Sequence, residues 1–566
     1  MNRRHGNGDN KMELNRRQRR ERRRDISFTV FVCCPGIRFG VLAVLWLWGL
    51  LFVARAAGSE TPKHGGTLRL AVPSDLLTLD PALVNVAPDF GLISLLYLPL
   101  LDLTNGFTLV NYATTEWSAS PDARIYTFHL RPEIRFSNGR PVLASDYAYA
   151  LERFADPQVG APCSAYLSGI RRTTAGTFQT NQLAGVRCEG LLTLVVELDQ
   201  PDPTFPYLMA TVFGCAVPQE EVQRLGSGFG TRPVGTGPYQ VEEWVRGMRL
   251  VFKSNPHYCW PQQRRFDRIE IMIGGDDSTH LMMFERGELD IANITGSGIP
   301  MPDQRRLEKD PRWKPFVEQS WTLSTLYAVL NNEMPPLDNV KIRQAINFAV
   351  DKPRRLHIAN GRYTPAKGII PTGMPGFNPN LVGYPYNPTR ARELLAESGV
   401  SPPIKVSLWH STSQEMVTLA QGIQADLQAV GIETELKAVT FGELWHASTI
   451  GKKVQMSITA WIALLPDPKE MLGVQFDGRA LTNTPTQNVA WYSNSAVDLK
   501  LDRAAISVDR SERYRLYREI EELLVNDAPF LFLGHPNQYA LRQPWLKGSL
   551  IEPLWGYRLD RVWMEK

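Results

Sequence analysis

The sequence predicts an α/β fold divided among two or three domains, and three observations support this. With 566 residues, the chain is too long for one hydrophobic core. A strand, a helix and a second strand follow one another between Ile404 and Ala438, as in a β-α-β unit. Phe530-Leu-Phe-Leu533 is apolar on both faces, which is typical of a central strand.

The first half of the chain contains a compact α+β block, predicted as an insertion over residues 102–213. Ile125–Leu130 and Leu191–Leu198 have the composition of strands, and Ala144–Phe154 between them reads as a helix. Asn138-Gly139 is a strong turn signal. Short strands joined by turns around one helix are typical of an α+β unit with its own core.

Strands on either side of this block are assigned to a second unit. Thr67–Val72 alternates in polarity, and Ile269–Ile273 does so later in the chain. Tyr239–Trp244 and Arg249–Lys253 are close enough to form a hairpin. The unit that holds these strands is therefore interrupted by the insertion.

The second half is more regular. Apolar residues recur at helical spacing between Met416 and Val430, and Gly431 ends that helix. The strand Ile404–Trp409 precedes the helix, and the alternating segment Ile432–Ala438 follows it. Since such crossovers are right-handed and join parallel strands, the two strands are predicted to be parallel.

One stretch, Gln455–Leu472, has the features of a binding surface. Its alternating residues, from Met456 on, predict a half-buried strand that reaches Trp461. The turn Pro466-Asp-Pro468 must then end the strand, because proline fixes φ and lacks an N–H donor. Ligands of open α/β sheets bind at the carboxyl ends of strands, so an aromatic ring and a carboxylate here predict a binding site. A core tryptophan and an ordinary turn are the alternative.

Basic residues are concentrated at the amino terminus. Residues 1–57 carry 12 Lys and Arg against four acids, which leaves 50 basic and 54 acidic residues in the remainder. That remainder has a net charge of −4, so it has no bias that calls for nucleic acid.

The same leader has the three parts of a secretory signal. Arg16–Arg24 is a long basic region, Phe39–Ala54 is an apolar run, and Ala54-Arg55-Ala56 offers small residues for cleavage. Residues 1–57 are therefore predicted to be a signal peptide, with Met12 as an alternative start, and export implies a periplasmic protein. An uncleaved amino-terminal anchor is the alternative.

Export also implies an oxidising compartment, so the cysteines are candidates for disulfides. Cys163, Cys188, Cys215 and Cys259 lie beyond the leader, and four cysteines allow three pairings. We favour Cys163–Cys188 as the nearest pair, with Cys215 and Cys259 either paired or free. None of their spacings resembles a zinc site.

Six short motifs along residues 63–566 give the chain a resemblance to the family-5 solute-binding proteins, the dipeptide- and oligopeptide-binding components of ABC importers. The motifs occur in the order of that family. They are Gly65-Gly-Thr-Leu-Arg-Leu70 with Thr78-Leu-Asp-Pro81, Tyr126-Thr-Phe-His-Leu-Arg131 with Phe136-Ser-Asn-Gly139, Pro233-Val-Gly-Thr-Gly-Pro-Tyr239, Gly287-Glu-Leu-Asp290, Pro336-Leu-Asp-Asn-Val-Lys-Ile-Arg-Gln-Ala345 and Pro371-Thr-Gly-Met-Pro-Gly376.

The resemblance implies a two-lobed periplasmic-binding-protein fold, type II and similar to cluster C, with an inserted α+β third domain. It implies a monomer without a cofactor, which encloses a peptide or peptide-like solute between its lobes and delivers it to permease subunits in the inner membrane. Crossings between the lobes are expected near Leu323–Leu330 and Phe530–Leu533. The expected divisions are lobe 1 in residues 58–101 and 214–325, the insertion in 102–213, lobe 2 in 326–529, and a return to lobe 1 in 530–566.

The strand-end segment departs from the pattern of the peptide binders it resembles. They typically read Trp-x-x-Asp there, and the Asp pairs with the α-ammonium group of the peptide. This chain has Trp461-Ile-Ala-Leu464, and a leucine cannot pair with an ammonium group. An unpaired buried charge would cost several kcal/mol, which argues against a standard peptide ligand with a free amino terminus. Asp467 could take the place of the missing carboxylate only if its turn aims inward. An apolar or N-blocked ligand is left open.

The candidate ligand contacts are aromatic or polar residues at strand ends and near the crossings. They are Trp461, Leu464, Asp467, Trp409, Tyr327, Asn331 and Lys367. Two other functions are alternatives to solute binding. A secreted hydrolase lacks support, because neither Gly-x-Ser-x-Gly nor His-Glu-x-x-His occurs. A receptor or chaperone held at the membrane by the uncleaved leader is the other alternative.

Overall fold

The computed structural model describes residues 63–84, 91–172, 183–292, 294, 298–357, 359–450, 453–482, 485–554 and 556–565. The predicted signal segment, residues 1–57, lies outside them. Within the described part of the chain, no helix is both long and apolar enough to cross a membrane.

The strands are numbered in chain order. They are β1 Thr67–Val72, β2 Leu101–Leu103, β3 Leu109–Asn111, β4 Thr114–Ala119, β5 Ile125–Leu130, β6 Val186–Cys188, β7 Thr193–Glu197, β8 Tyr239–Val245, β9 Arg249–Ser254, β10 Arg268–Ile273, β11 Val317–Trp321, β12 Ser324–Leu330, β13 Tyr363–Pro365, β14 Ile404–Ser411, β15 Ile432–Val439, β16 Met456–Ile462, β17 Phe530–Leu541, β18 Leu546–Gly548, β19 Ile551–Glu552, β20 Gly556–Tyr557 and β21 Val562–Met564.

The α-helices of the described residues are numbered in the same way. They are α1 Ala144–Ala155, α2 Phe205–Leu208, α3 Gln219–Leu225, α4 Asp277–Glu285, α5 Met301–Lys309, α6 Val340–Ala349, α7 Lys352–His357, α8 Pro388–Glu397, α9 Gln414–Ala429, α10 Phe441–Ile450, α11 Lys469–Phe476, α12 Ser495–Ile506 and α13 Arg510–Asp527.

The first lobe is built on a four-stranded sheet in the order β1-β10-β9-β8. β1 and β10 are parallel, while β10, β9 and β8 are antiparallel neighbours. The predicted hairpin of β8 and β9 is thus confirmed. A long insertion can separate β1 from the rest of its sheet because parallel strands need no tight turn between them.

The inserted unit has its own antiparallel sheet, in the order β4-β5-β7-β6. Helix α1 packs on this sheet through its buried face, which includes Tyr147, Leu151 and Phe154. Gly139 has φ +89°, as the predicted Asn-Gly turn requires. All of these elements lie inside the predicted insertion, residues 102–213, whose exact boundaries stay a prediction.

The second lobe contains the largest sheet, in the order β11-β17-β12-β16-β14-β15, and β13 pairs with β17. β14 and β15 are parallel in the register Ile404↔Ile432, so the predicted β-α-β unit is confirmed. Gly431 ends α9 with φ +96°, in the left-handed region that favours glycine. One face of the sheet packs against α6, α8 and α9.

Strand β17 runs from the largest sheet into the core that contains Ala71 of β1. Its first four residues are buried on both faces, as predicted for a central strand. It then continues past Gly534 and Pro536, pairs with β11, and ends with Leu541 in a core shared with Ala71 of β1. The expected crossings, Leu323–Leu330 and Phe530–Leu533, overlap β12 and the first part of β17, and the place where the chain passes between the lobes stays a prediction. The sequence suggested a shorter strand because proline cannot donate to a ladder.

The cysteines correct a prediction. All four in the described residues are free thiols, including the expected pair Cys163 and Cys188. The Cys163 thiol faces the carbonyl of Val84, while Cys188 lies exposed on the edge strand β6. Nearness in sequence does not fix the direction of the side chains, and a disulfide requires that direction.

Candidate functional site

The turn that follows β16 is held by a buried ion pair. Asp467 is 1% exposed, and its Oδ2 accepts hydrogen bonds from Nε and Nη2 of Arg513 at 3.2 and 3.1 Å. Its Oδ1 accepts the backbone N–H of Lys469 at 3.0 Å. Burial raises the pKa of Asp467, and the Arg513 guanidinium opposes that shift. Asp467 was predicted to face a ligand, but protein groups engage both of its oxygens, so it anchors the turn to α13.

Beside this turn lies a cavity of about 540 Å³. One wall comes from the inserted unit, between Ala165 and Leu208, and the other from α11, α12 and the segments next to them. Apolar and polar groups share the lining, as in sites for small amphipathic ligands. The residues used below are Tyr166, Ile170, Asp202, Leu208, Leu465, Lys469, Glu470, Asp477, Arg479 and Asp502.

Two side-chain contacts bridge the walls of this cavity. The Lys469 Nζ lies 2.7 Å from Asp202 Oδ2, and the Tyr166 hydroxyl donates to Glu470 Oε2 at 3.0 Å. Lys469 and Glu470 form the first turn of α11, while Tyr166 and Asp202 belong to the inserted unit. Side chains rather than a continuous backbone therefore close this edge of the cavity.

Glu470 is the most perturbed acid on the cavity wall. It is 4% exposed, and burial raises its pKa to about 7. The Tyr166 hydroxyl and the backbone N–H of Leu464 both donate to Oε2, at 3.0 and 3.3 Å, and oppose the shift. The carboxyl group can therefore change its charge near neutral pH.

Two of the predicted ligand contacts are engaged inside the protein. The Tyr327 hydroxyl donates to Gln475 Oε1 at 2.5 Å, and its ring stacks on Phe530 with centroids 4.1 Å apart. Asn331 donates through Nδ2 to the carbonyl of Val454 and accepts the N–H of Glu333. Both residues are buried, so the structure assigns them to packing rather than to the cavity.

The remaining predicted contacts lie at separate places. Trp461 is half-buried at the end of β16 and packs against Trp445, with ring centroids 6.4 Å apart. Trp409 lies under Lys437, whose Nζ is 3.6 Å from the ring centroid.

The last two predicted contacts differ in burial. Lys367 is exposed, and Leu464 is 9% exposed next to the cavity-lining Leu465. The structure therefore brings only the segment around Leu464 to the cavity.

Sequence reasoning missed the polar residues of the cavity. Glu470 lies within Gln455–Leu472, the stretch that the sequence marks as a binding surface. The feature that could have identified it is an acid in the first turn of a helix that follows a strand end. Tyr166 precedes Glu470 by 304 residues, and Asp202 precedes Lys469 by 267. Local periodicity carries no information on contacts at such distances.

Three comparisons bear on the identity of this arrangement. The profile of the bacterial extracellular solute-binding proteins, family 5 middle region, matches residues 108–483. The glutathione-binding protein GsiB of Escherichia coli K12 is 28% identical over 504 residues, which cover 87% of this chain and 93% of that protein.

Solved structures share the fold. The periplasmic binding protein DppA of Helicobacter pylori, in complex with the peptide STSA, superposes with a TM-score of 0.76 at 24% identity, over 89% of this chain and 99% of that one. The clavulanic acid biosynthesis oligopeptide-binding protein 2 gives a TM-score of 0.81 at 24% identity, over 89% and 96%. These values confirm the two-lobed α/β fold expected from the sequence.

Proposed function

We propose a specific role for this chain, which belongs to the family-5 bacterial extracellular solute-binding proteins and is thus the substrate-binding component of an ABC importer. The chain captures a small peptide-like solute in the cavity beside α11. It then delivers that solute unchanged to the permease subunits. The cavity carries the proposal, because about 540 Å³ is within the size of small-molecule sites, roughly 300–1,000 Å³.

The ligands named for similar proteins support a peptide-like solute. GsiB is named for glutathione, a DppA structure contains a four-residue peptide, and MppA of Escherichia coli is named for murein tripeptide. All three are short chains of amide-linked residues with charged ends. The mixed lining of the cavity suits such a solute, since apolar walls accept side chains and the polar groups accept backbone amides.

The proposed setting follows from the leader and the charge. We place the protein in the periplasm, with residues 1–57 as its signal, and we expect it to act as a monomer. A net charge of −4 beyond the leader supports a role that does not involve nucleic acid. Relatives that are periplasmic binding proteins support the same compartment.

The solute retained through purification tests this function. Protein exported by its host is expected to release, on denaturation, one small peptide-like molecule per chain, because a closed cleft slows dissociation. Native mass spectrometry gives the stoichiometry, and fragmentation gives the chemical class. Protein that carries no solute, and whose tryptophan fluorescence does not respond to di- or tripeptides, would contradict the proposal.

Position 464 provides a test of how the solute is recognised. Leu464→Asp is expected to raise the preference for free over N-acetylated dipeptides about tenfold, because hydrogen bonds to charged groups contribute roughly 1.5–3 kcal/mol. Isothermal titration with both forms measures the ratio of the two dissociation constants. Leu464→Asn is the matched control, since it has the same shape without the charge. Equal ratios in the two variants would show that residue 464 does not face the amino terminus.

A further inference from the structure

One carboxylate on the cavity wall has an oxygen that the fold leaves open. Glu470 Oε2 accepts the Tyr166 hydroxyl and the Leu464 N–H, but none of the described residues donates a hydrogen bond to Oε1. The side chain is 4% exposed and lines the cavity. A buried carboxylate with an open oxygen is costly unless a donor arrives from the ligand.

The other charged groups of the cavity already have partners. Lys469 pairs with Asp202 at 2.7 Å, and Arg479 pairs with Asp477 and Asp502 at 2.8 Å each. Among the described residues, no ion pair within 4.0 Å includes Glu470. Glu470 is therefore the acid on this wall that would gain most from a cation in the cavity.

We propose that Glu470 receives a primary ammonium group of the solute and so determines the specificity of this chain for solutes with a free amino group. The inference rests on the proposed function, and it names the class of solute for the same cavity. It also argues against the N-blocked ligand that the sequence leaves open. The carboxylate missing at Leu464 is supplied six residues later, by a side chain that is tied to the Leu464 backbone.

The surroundings of Glu470 suit an ammonium group better than a neutral donor. An ionised carboxylate accepts hydrogen bonds only, while an ammonium group brings three donors and a compensating charge. Tyr166 holds the carboxylate in place, and Ile170, Leu208 and Leu465 offer apolar surface for the side chains of a short peptide. A small peptide-like molecule with a free amino terminus meets both requirements.

The charge of Glu470 makes binding sensitive to pH. Its pKa of about 7 means that acid removes the charge that an ammonium group needs. Lys469 and Asp467 face it from its own helix and turn, and Tyr166 and Cys163 face it from the inserted unit. The positive charge of Lys469 lowers the pKa of Glu470, and the negative charge of Asp467 raises it.

The experiment uses the full exported chain and a library of di- and tripeptides, either with free amino termini or N-acetylated. Peptides retained after gel filtration are identified by mass spectrometry, and tryptophan fluorescence gives dissociation constants. Glu470→Gln is the test variant. Glu415→Gln is the matched control, because Glu415 also accepts a tyrosine hydroxyl, from Tyr363 at 2.7 Å, but does not line this cavity.

The unmodified chain is expected to retain free peptides, and Glu470→Gln to weaken their binding at least about tenfold while Glu415→Gln does not. If Glu470→Gln folds poorly, the unmodified protein alone decides. Its affinity for free peptides should fall about tenfold from about pH 7.5 to about pH 5.5, as the carboxylate becomes protonated. Equal or tighter binding of N-acetylated peptides, or a flat pH profile, would overturn the inference and leave the proposed function intact. Binding of neither library would overturn both.

Discussion

Replacing Asp467 with alanine is expected to lower the free energy of unfolding by about 3–5 kcal/mol, because it leaves the Arg513 guanidinium buried without its partner. The exposed fractions of the two side chains are 6% and 1%, so water cannot take the place of the carboxylate. The variant also loses the acceptor for the N–H of Lys469, at the start of α11. Urea denaturation followed by circular dichroism measures the change.

Two further variants separate the charge effect from simple truncation. Glu433→Ala breaks an ion pair with Lys405 whose side chains are 58% and 68% exposed, and should change stability by less than about 1 kcal/mol. The double variant Asp467→Leu with Arg513→Leu removes both buried charges and should be more stable than Asp467→Ala. A loss for Asp467→Ala no larger than that for Glu433→Ala would show that the pair does not hold the turn.

This ion pair is a contact of Asp467 that the sequence did not indicate. The two prolines around it indicated a rigid turn, and a rigid turn with one carboxylate is typical of a binding surface. The same features also occur in a turn that a buried ion pair holds to the protein core. Its partner Arg513 lies 46 residues further along, among the buried residues of α13.

Much of the fold was predictable because it depends on local periodicity. The unit of β14, α9 and β15 has its predicted order and its predicted parallel strands, because the hydrophobic period and the helix-ending glycine can be read from adjacent residues. The cavity was less predictable. Its walls meet through Tyr166 and Glu470, which only the packing of the inserted unit brings together. The disulfide prediction failed for a related reason, since spacing does not reveal where a thiol points.

Under the proposal for Glu470, the positions Leu464 and Glu470 together account for a departure of this chain from the peptide binders it resembles. A leucine at the strand end removes a carboxylate from one position, and the backbone N–H of that leucine orients a carboxylate on the next helix. A carboxylate at position 470 on the helix, in place of one at position 464 at the strand end, would bind an amino group at a different place in the cleft. The rest of the cleft can then be shaped for a different solute without a change in fold.

A second buried acid, Glu521, is expected to make stability fall as the pH rises from about 4.5 to about 7. Burial raises the pKa of Glu521 from 4.5 to about 7, so the folded chain binds more protons than the unfolded chain in that window. The expected loss is on the order of 3 kcal/mol. Oε1 accepts the N–H of Ile370 at 2.8 Å, and Oε2 is buried with no partner among the described residues.

Comparison with Glu521→Gln isolates this contribution. The difference in unfolding free energy between the unmodified chain and this variant should shift by on the order of 3 kcal/mol from pH 5 to pH 8, in favour of the variant at high pH. Burial lowers the pKa of His535 to about 4, so His535 makes the folded chain less stable as acid is added. Because His535 is present in both proteins, its contribution cancels in the difference between their unfolding free energies. A pH-independent difference for Glu521→Gln would mean that Glu521 is as well solvated in the folded chain as in the unfolded one.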